Sequence, residues 1–260
     1  MDLQLNGQRV LITGASQGIG EGLAHAFAAE GCHLHLTARS ADRLDAVKAA
    51  IANRHRVDVT TTAIDMTAAG APERIVAEAG DVDVLINNAG VIPGGTIFDI
   101  DPERWRQGWA LKGFGYVDMI RLVYPRMKAR GGGVILNTIG VGGEVCDPEY
   151  AEGAAGNASL MALTRALGGT SLDDNIRVVG VNPGPVDTSR IYANLRRIAE
   201  KRFGDANRYT ELVARYPLKR PARIHEITDL FLFLASFRSG YTSGVIVTVD
   251  GGIASRRPIW

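Results

Sequence analysis

Seven short apolar, β-branched runs recur along this chain, separated by longer segments that carry the helical apolar period. The runs cover 9–13, 33–37, 57–63, 82–87, 133–138, 176–182 and 245–249. Glycine, asparagine or aspartate punctuates each, and all are too short for helices, so they read as strands. Helical patterns fill 19–30, 41–53, 101–130, 154–167 and 224–237. Strands that alternate with helices of this length pair in parallel through right-handed crossovers. Helices then cover both faces, which explains strands that are apolar throughout and not alternating. The expectation is an α/β fold: a doubly wound parallel sheet of about seven strands with helices on both faces.

No repeat, low-complexity tract or linker divides the 260 residues, so 1–260 is expected to be a single domain. A formal net charge of +1 gives no field that would gather nucleic acid or a membrane surface, and neither is expected as a partner. Two cysteines, Cys32 and Cys146, make no disulfide framework and suit a reducing compartment. The first residues have neither a basic region nor an apolar core, and no apolar run approaches the roughly 18 residues of a spanning helix. A cytoplasmic protein is expected. One segment departs from the rest. Residues 188–223 hold ten Arg or Lys against three acids, and read as one or two short amphipathic helices forming a basic lid.

The first strand runs into Thr13-Gly14-Ala15-Ser16-Gln17-Gly18-Ile19-Gly20. Glycines here allow a tight turn and close approach of a pyrophosphate, and the next helix points its positive end at it. These residues resemble the short-chain dehydrogenase/reductase fingerprint TGxxxGxG, and with it a Rossmann-type fold. The resemblance extends along nearly the whole chain. Asn87-Asn88-Ala89-Gly90 is similar to the family's NNAG, which lines the adenosine side, and Asp65 to its adenine-contacting aspartate. Pro183, Gly184, Val186 and Thr188 lie in a segment similar to the family's PG motif, whose threonine meets the nicotinamide carboxamide. Gly240 to Gly244 and Asp250-Gly251-Gly252 look like the closing strand segment. The resemblance also implies a homodimer or homotetramer. Phe114, Val117, Ile120 and Leu122, with Leu160 and Leu163, are the apolar residues available to pair across a dyad.

At the end of the second strand an NAD enzyme carries an acid for the ribose hydroxyls. This chain has Ala38 and then Arg39, whose planar fork suits a 2′-phosphate, so NADP(H) is the expected cofactor, with NAD(H) second. Aligned on 163–167, the family's catalytic tyrosine, lysine, serine and helix asparagine fall on Gly153, Asn157, Gly140 and Ala110. Glycine and alanine transfer no proton. Asn157 can still bond ribose hydroxyls, but it carries no charge to favour a tyrosinate. Tyr150 is similar in placement to the enoyl-reductase tyrosine, and packing at the rim is its structural alternative. Glu144, Asp147, Glu149 and Glu152 are carboxylates of the same loop and helix start, either general bases or solvated acids. Cys146 and the histidines His25, His33, His35, His55 and His225 read as structural, with no metal-ligand spacing.

Three functions follow. The first is an NADP(H)-dependent oxidoreductase with a rearranged site, acting on an activated carbonyl or conjugated enoyl small molecule. The second is a dinucleotide-binding sensor or scaffold without turnover, and the third a lyase or hydratase on the same fold. The basic lid either draws an anionic substrate, through Arg190, Arg196 and Arg197, or presents solvated helix faces.

Overall fold

Val10, Leu11 and Ile12 are all fully buried, which a strand achieves only when both faces of its sheet are covered. The computed structural model describes residues 1–256. The last four residues of the domain expected over 1–260 lie outside the described residues. The elements are β1 Arg9–Thr13, α1 Gly18–Ala29, β2 His33–Ala38, α2 Ala41–Ala52, β3 Val59–Ala63, α3 Ala71–Ala79, β4 Val84–Asn87, α4 Pro102–Trp109 and α5 Gly115–Ala129. They continue as β5 Gly133–Thr138, α6 Gly142–Val145, α7 Ala151–Gly168, β6 Ile176–Pro183, α8 Ser189–Phe203, α9 Tyr209–Val213, α10 Ile224–Ala235 and β7 Ile246–Val249. The strands form one sheet in the order β3-β2-β1-β4-β5-β6-β7, every pair parallel. The order reverses between β1 and β4, so the crevice for a dinucleotide opens at their C-terminal ends.

Adjacent strand residues feed opposite layers. Val10 and Ile12 pack with Leu23 and Phe27 of α1, Leu44 and Ile51 of α2, and Phe231 of α10. Leu11 turns the other way, to Ile75 of α3 and to Met119, Val123 and Met127 of α5. Arg177 of β6 is buried and donates to the Leu234, Ala235 and Ser236 carbonyls, so a cation caps the C-terminus of α10. The short α3 has no counterpart among the expected elements, because nine residues are fewer than the window over which a helical period is read.

The stretch 101–130, expected as one helix, is α4 and α5 joined by a π-turn, Ala110–Phe114. Asp101 caps its start by accepting from the Glu103 and Arg104 amides. The extra residue of the π-turn rotates everything after it about the helix axis. Of the six residues available to pair across a dyad, Ile120 and Leu160 are instead spent in the core, and Phe114 is the one left exposed, at 63 %.

The 188–223 segment folds on a small core of its own, Leu195, Ala199 and Leu212 with Tyr192 and Tyr209 around them. Its α8 runs 15 residues, longer than the short helices expected there.

Where α4 meets α7, Glu152 is fully buried, and a methyl on Gly108 would lie 2.0 Å from its Oε1. Among the described residues neither carboxyl oxygen has a hydrogen-bond partner, and burial pushes this acid up to about 7 against the pull of Arg104. The folded state therefore holds a proton that the unfolded chain releases from its ordinary 4.5. Stability contributed by the neutral acid is complete below that ordinary value, falls as pH rises, and is gone once pH passes about 7. Glu152→Gln should remove this loss: urea unfolding should find variant and wild type alike below the ordinary 4.5, and the variant more stable at alkaline pH. Equal stabilities across the range would show that Glu152 is ionised in the fold.

Candidate active site

The turn after β1 and the turn after β4 are bound to each other. Thr13 Oγ1 accepts the Asn88 amide at 2.9 Å and the Ala89 amide at 3.0 Å, while Asn88 Nδ2 donates to the Thr13 and Gly14 carbonyls. The backbones nearly touch. A methyl on Gly14, whose φ is +66°, would lie 2.8 Å from Ala89 Cα, and one on Gly20 would lie 2.2 Å from the Gly14 carbonyl oxygen. Glycine is required at both places, by conformation at the first and by clearance at the second. Thr13 is thus turned inward as a staple, and Asn88 with it.

The α1 N-terminus beside this turn has Gln17 at its N-cap with no side-chain acceptor for its first amides. Uncapped amides at a positive helix end form a cradle for a phosphate. Ser16, Gly18 and Ile19 sit around it, and a methyl on Gly18 would lie 3.3 Å from Thr188 Cγ2, which brings the threonine after β6 to the same turn. Gly184 packs on Asp250, its amide bonded to the Val249 carbonyl, and Val186 is buried and bridged to Ala222. These contacts place Pro183, Gly184, Val186 and Thr188 at the C-terminal edge of the sheet.

Arg39 lies exposed just after β2, and its charge helps hold the Asp65 carboxyl below its usual range. The larger causes at Asp65 are its bonds from the Thr67 amide and hydroxyl. Arg43 donates to Gln17 Oε1 at 2.6 Å, so a second guanidinium stands over the same corner. The corner between β1, β2 and α1 is an uncapped helix end flanked by cations, and its donors fit a dinucleotide bearing an extra phosphate.

Beyond β5 the cleft is walled by glycines and filled from elsewhere. Gly140, at φ +133°, would meet Asn157 Nδ2 at 3.2 Å if it carried a methyl group. A methyl on Gly142 would lie 2.9 Å from the Tyr150 ring and 3.4 Å from Asn157 Nδ2. At Gly153 a methyl would fall 2.0 Å from Tyr150 Cε1 and Cζ, inside the ring itself. The Tyr150 side chain therefore occupies the space that a side chain at 153 would need. Its backbone is clamped: the Gly95 amide donates to the Glu149 carbonyl and the Ala151 amide to the Gly95 carbonyl. Burial raises the Tyr150 phenol above its ordinary range, and the positive Arg190 opposes this. Asn157 is 2 % exposed, and its Oδ1 has no partner among the described residues.

The loop carboxylates divide. Glu144 Oε1 accepts from Asn182 Nδ2 and Thr248 Oγ1, and Glu149 pairs with Lys201 at 2.8 Å. Glu152 is the buried acid in the first turn of α7, and Cys146 is exposed. The basic residues of 188–223 are also largely engaged. Arg190 donates to the Gly90 and Ile92 carbonyls, Arg196 stacks on Tyr209 at 4.8 Å, and a methyl on Gly94 would lie 2.6 Å from Arg197 Nη2. Lys112 stands out as a cation in the cleft that sequence reasoning missed. Nothing in its spacing marks it, because the π-turn turns it inward. Among the described residues no cluster of three or more His, Cys, Asp or Glu could hold a metal, and no helix is long and apolar enough to cross a membrane.

The family described as enoyl-(acyl carrier protein) reductase matches residues 14–254. The oxidoreductase UcpA of Salmonella typhimurium is 32 % identical over 255 residues, covering 96 % of this chain and 95 % of that protein. The 7alpha-hydroxysteroid dehydrogenase of Escherichia coli is 29 % identical, with 96 % of each chain covered. Among solved structures, L-sorbose reductase from Gluconobacter frateurii, complexed with NADPH and L-sorbose, has a TM-score of 0.91 at 32 % identity, covering 99 % of this chain and 100 % of that one. A short chain dehydrogenase/reductase family protein has a TM-score of 0.84 at 30 % identity, covering 98 % and 100 %. The β1 glycine turn bound to the β4 turn, the parallel sheet with its reversal between those strands, and a match from residue 14 to residue 254 lead to one conclusion: the chain belongs to the short-chain dehydrogenase/reductase family.

Proposed function

We propose that this protein is an NADP(H)-dependent oxidoreductase with a rearranged active site, whose proton-donating group is Tyr150 and whose substrate is an activated carbonyl or a conjugated enoyl compound. The observation that carries this reading is the Tyr150 ring lying where a side chain at Gly153 would stand. Position 153 is the family's tyrosine place, and 157, 140 and 110 are its lysine, serine and asparagine places. The phenol is thus delivered to the usual region from three residues earlier, over a floor of glycines that leave it room.

The dinucleotide would rest its pyrophosphate on Gly18, Ile19 and Gly20 at the α1 N-terminus, with Ser16 and Gln17 at the turn. Arg39 would meet a 2′-phosphate and Asp65 would lie on the adenine side. Asn88, Ala89 and Gly90 would line the sugar, and Pro183 to Thr188 the nicotinamide end. Reduced nicotinamide supplies a hydride when bound. The chain's own residues supply the rest. Tyr150 donates a hydrogen bond or its proton to the substrate oxygen, and Asn157 offers a neutral amide toward the ribose. An enoyl substrate suits this set, since its enolate oxygen needs chiefly a donor. The L-sorbose reductase neighbour holds NADPH, and a 7alpha-hydroxysteroid dehydrogenase structure holds NADH, so NAD(H) is the weaker alternative here.

We read 1–260 as one domain, with 188–223 its lid and an anionic substrate drawn chiefly by Arg197, since Arg190 bonds the Gly90 and Ile92 carbonyls and Arg196 is spent on Tyr209. We also read the protein as a homodimer or homotetramer with Phe114 at the seam.

Two measurements test the reading. Tyr150→Phe should slow NADPH oxidation with an enone roughly a hundredfold. Gly153→Ala, which drives a methyl into the same ring, should cost a comparable factor while cofactor binding stays. Full activity in both would leave Tyr150 as packing, and NADPH binding without turnover on ketones, enones or enoyl thioesters would favour a sensor. Arg39→Ala should weaken NADPH by about tenfold or more, the scale of a charge-assisted fork, and leave NADH nearly unchanged. Equal losses in calorimetry would withdraw the cofactor assignment.

A further inference from the structure

Lys112 belongs to none of the roles above. It sits in the π-turn between α4 and α5, two residues past Ala110, and its side chain points inward. The stem lies flat across Gly90: a methyl there would meet Lys112 Cδ at 2.9 Å, Cγ at 3.3 Å and Cβ at 3.5 Å. Its ammonium ends on the Ile139 carbonyl at the tip of β5, one residue before Gly140. Gly140 in turn faces Asn157 Nδ2. The lysine therefore spans the cleft from the β4 turn to the β5 end, one strand over from the β1–β4 reversal.

An ammonium carries three donors, and one acceptor is in place here among the described residues. Two N–H groups are left at the Ile139 carbonyl, one residue before Gly140. That is a costly arrangement for a half-buried charge unless an acceptor completes it. The charged group facing it is Arg190 of α8, whose guanidinium bonds the Gly90 carbonyl. From α5, Tyr116 donates to the Thr138 carbonyl, adjoining Ile139, and from the start of α7 come neutral Tyr150 and Asn157. Neither α5 nor α7 brings a carboxylate to pair with the lysine, and Glu144 of α6 is bonded to Asn182 and Thr248.

We propose that Lys112, reaching in from the π-turn, supplies the positive charge that position 157 lacks, and that its free N–H groups bind the dinucleotide at the nicotinamide side of the cleft. This rests on the dinucleotide reading above and deepens it. Burial first, and Arg190 second, lower the Lys112 ammonium to about 7, so the contact should fade as pH rises through neutrality.

The test compares NADPH affinity, by fluorescence titration, in wild type, Lys112→Met and Lys112→Arg at about pH 6 and about pH 8.5. Ratios between variants cancel the titration of the nucleotide's own phosphate. Wild type should bind about tenfold more tightly than Lys112→Met at the lower pH, and less than about twofold more tightly at the higher. Lys112→Arg keeps its charge and should hold its advantage over Lys112→Met at both. A wild-type to Met ratio that stays constant with pH, or a Met variant as tight as wild type, overturns the proposal. Should Lys112→Met not fold, as thermal melting would show, the wild-type to Arg ratio decides alone: it must fall as pH rises, and a constant ratio overturns the proposal. Arg39→Ala weakens NADPH at every pH whichever way Lys112 behaves, so failure of the dinucleotide reading is seen separately.

Discussion

Thr13 accepts two amides from the β4 turn, and Asn88 returns two bonds to the β1 turn, all within a few ångströms of the point where the strand order reverses. In a doubly wound sheet the crossovers on either side of that point leave for opposite faces, so beyond the end of the β1–β4 ladder the crevice is held by what the two turns do to each other. Here they are knit by buried polar contacts, and buried donors and acceptors are costly to leave unmade. The clearance at Gly14 and Gly20 lets the turn close and leaves the α1 N-terminus uncapped toward the cleft. The open α1 N-terminus is a by-product of how β1 and β4 are joined.

The rest of the site is built by removing side chains. Gly140, Gly142 and Gly153 form a floor with no atoms of its own beyond backbone, and Tyr150 and Asn157 occupy the space. Packing in a protein interior leaves little unfilled, so deleting a side chain at one place admits one from another. The Tyr150 ring is admitted by Gly153 and held by the bridge to Gly95. The Lys112 stem is admitted by Gly90 and aimed by the π-turn. In this cleft the Tyr150, Asn157 and Lys112 side chains stand in space that glycines leave open.

The basic segment after β6 shows why charge counted along a sequence is an incomplete guide. Its excess of arginine and lysine looks like a field for anions. In the fold Arg208 and Arg220 are paired with Glu211 and Glu226, Lys201 with Glu149, and Arg196 lies on a tyrosine ring. The same residues that raise the local charge also fasten α8 to its neighbours, through Arg190 on Gly90 and Ile92 and Lys201 on the loop before α7.

Periodicity and punctuation are local properties, and what depends on them was legible in the amino-acid sequence. All seven strands lie where the apolar runs fall, within a residue or two at their ends, and the glycine turn stands between β1 and α1 as its spacing requires. The turn after β1 and the start of α1 were legible for the same reason, since a turn and a helix N-terminus are set by a few adjacent residues. That glycines stand at 140 and 153 and an asparagine at 157 can be read from the chain, but which side chains enter the space beside them cannot. That Tyr150 enters the space of Gly153, that Ile120 and Leu160 are used in the core, and that Lys112 turns inward depend on residues far apart in sequence. One extra residue in a helical turn redirects every side chain after it, and no period in the sequence announces it. Only packing against β5 and α7 decides which of those side chains reach the cleft.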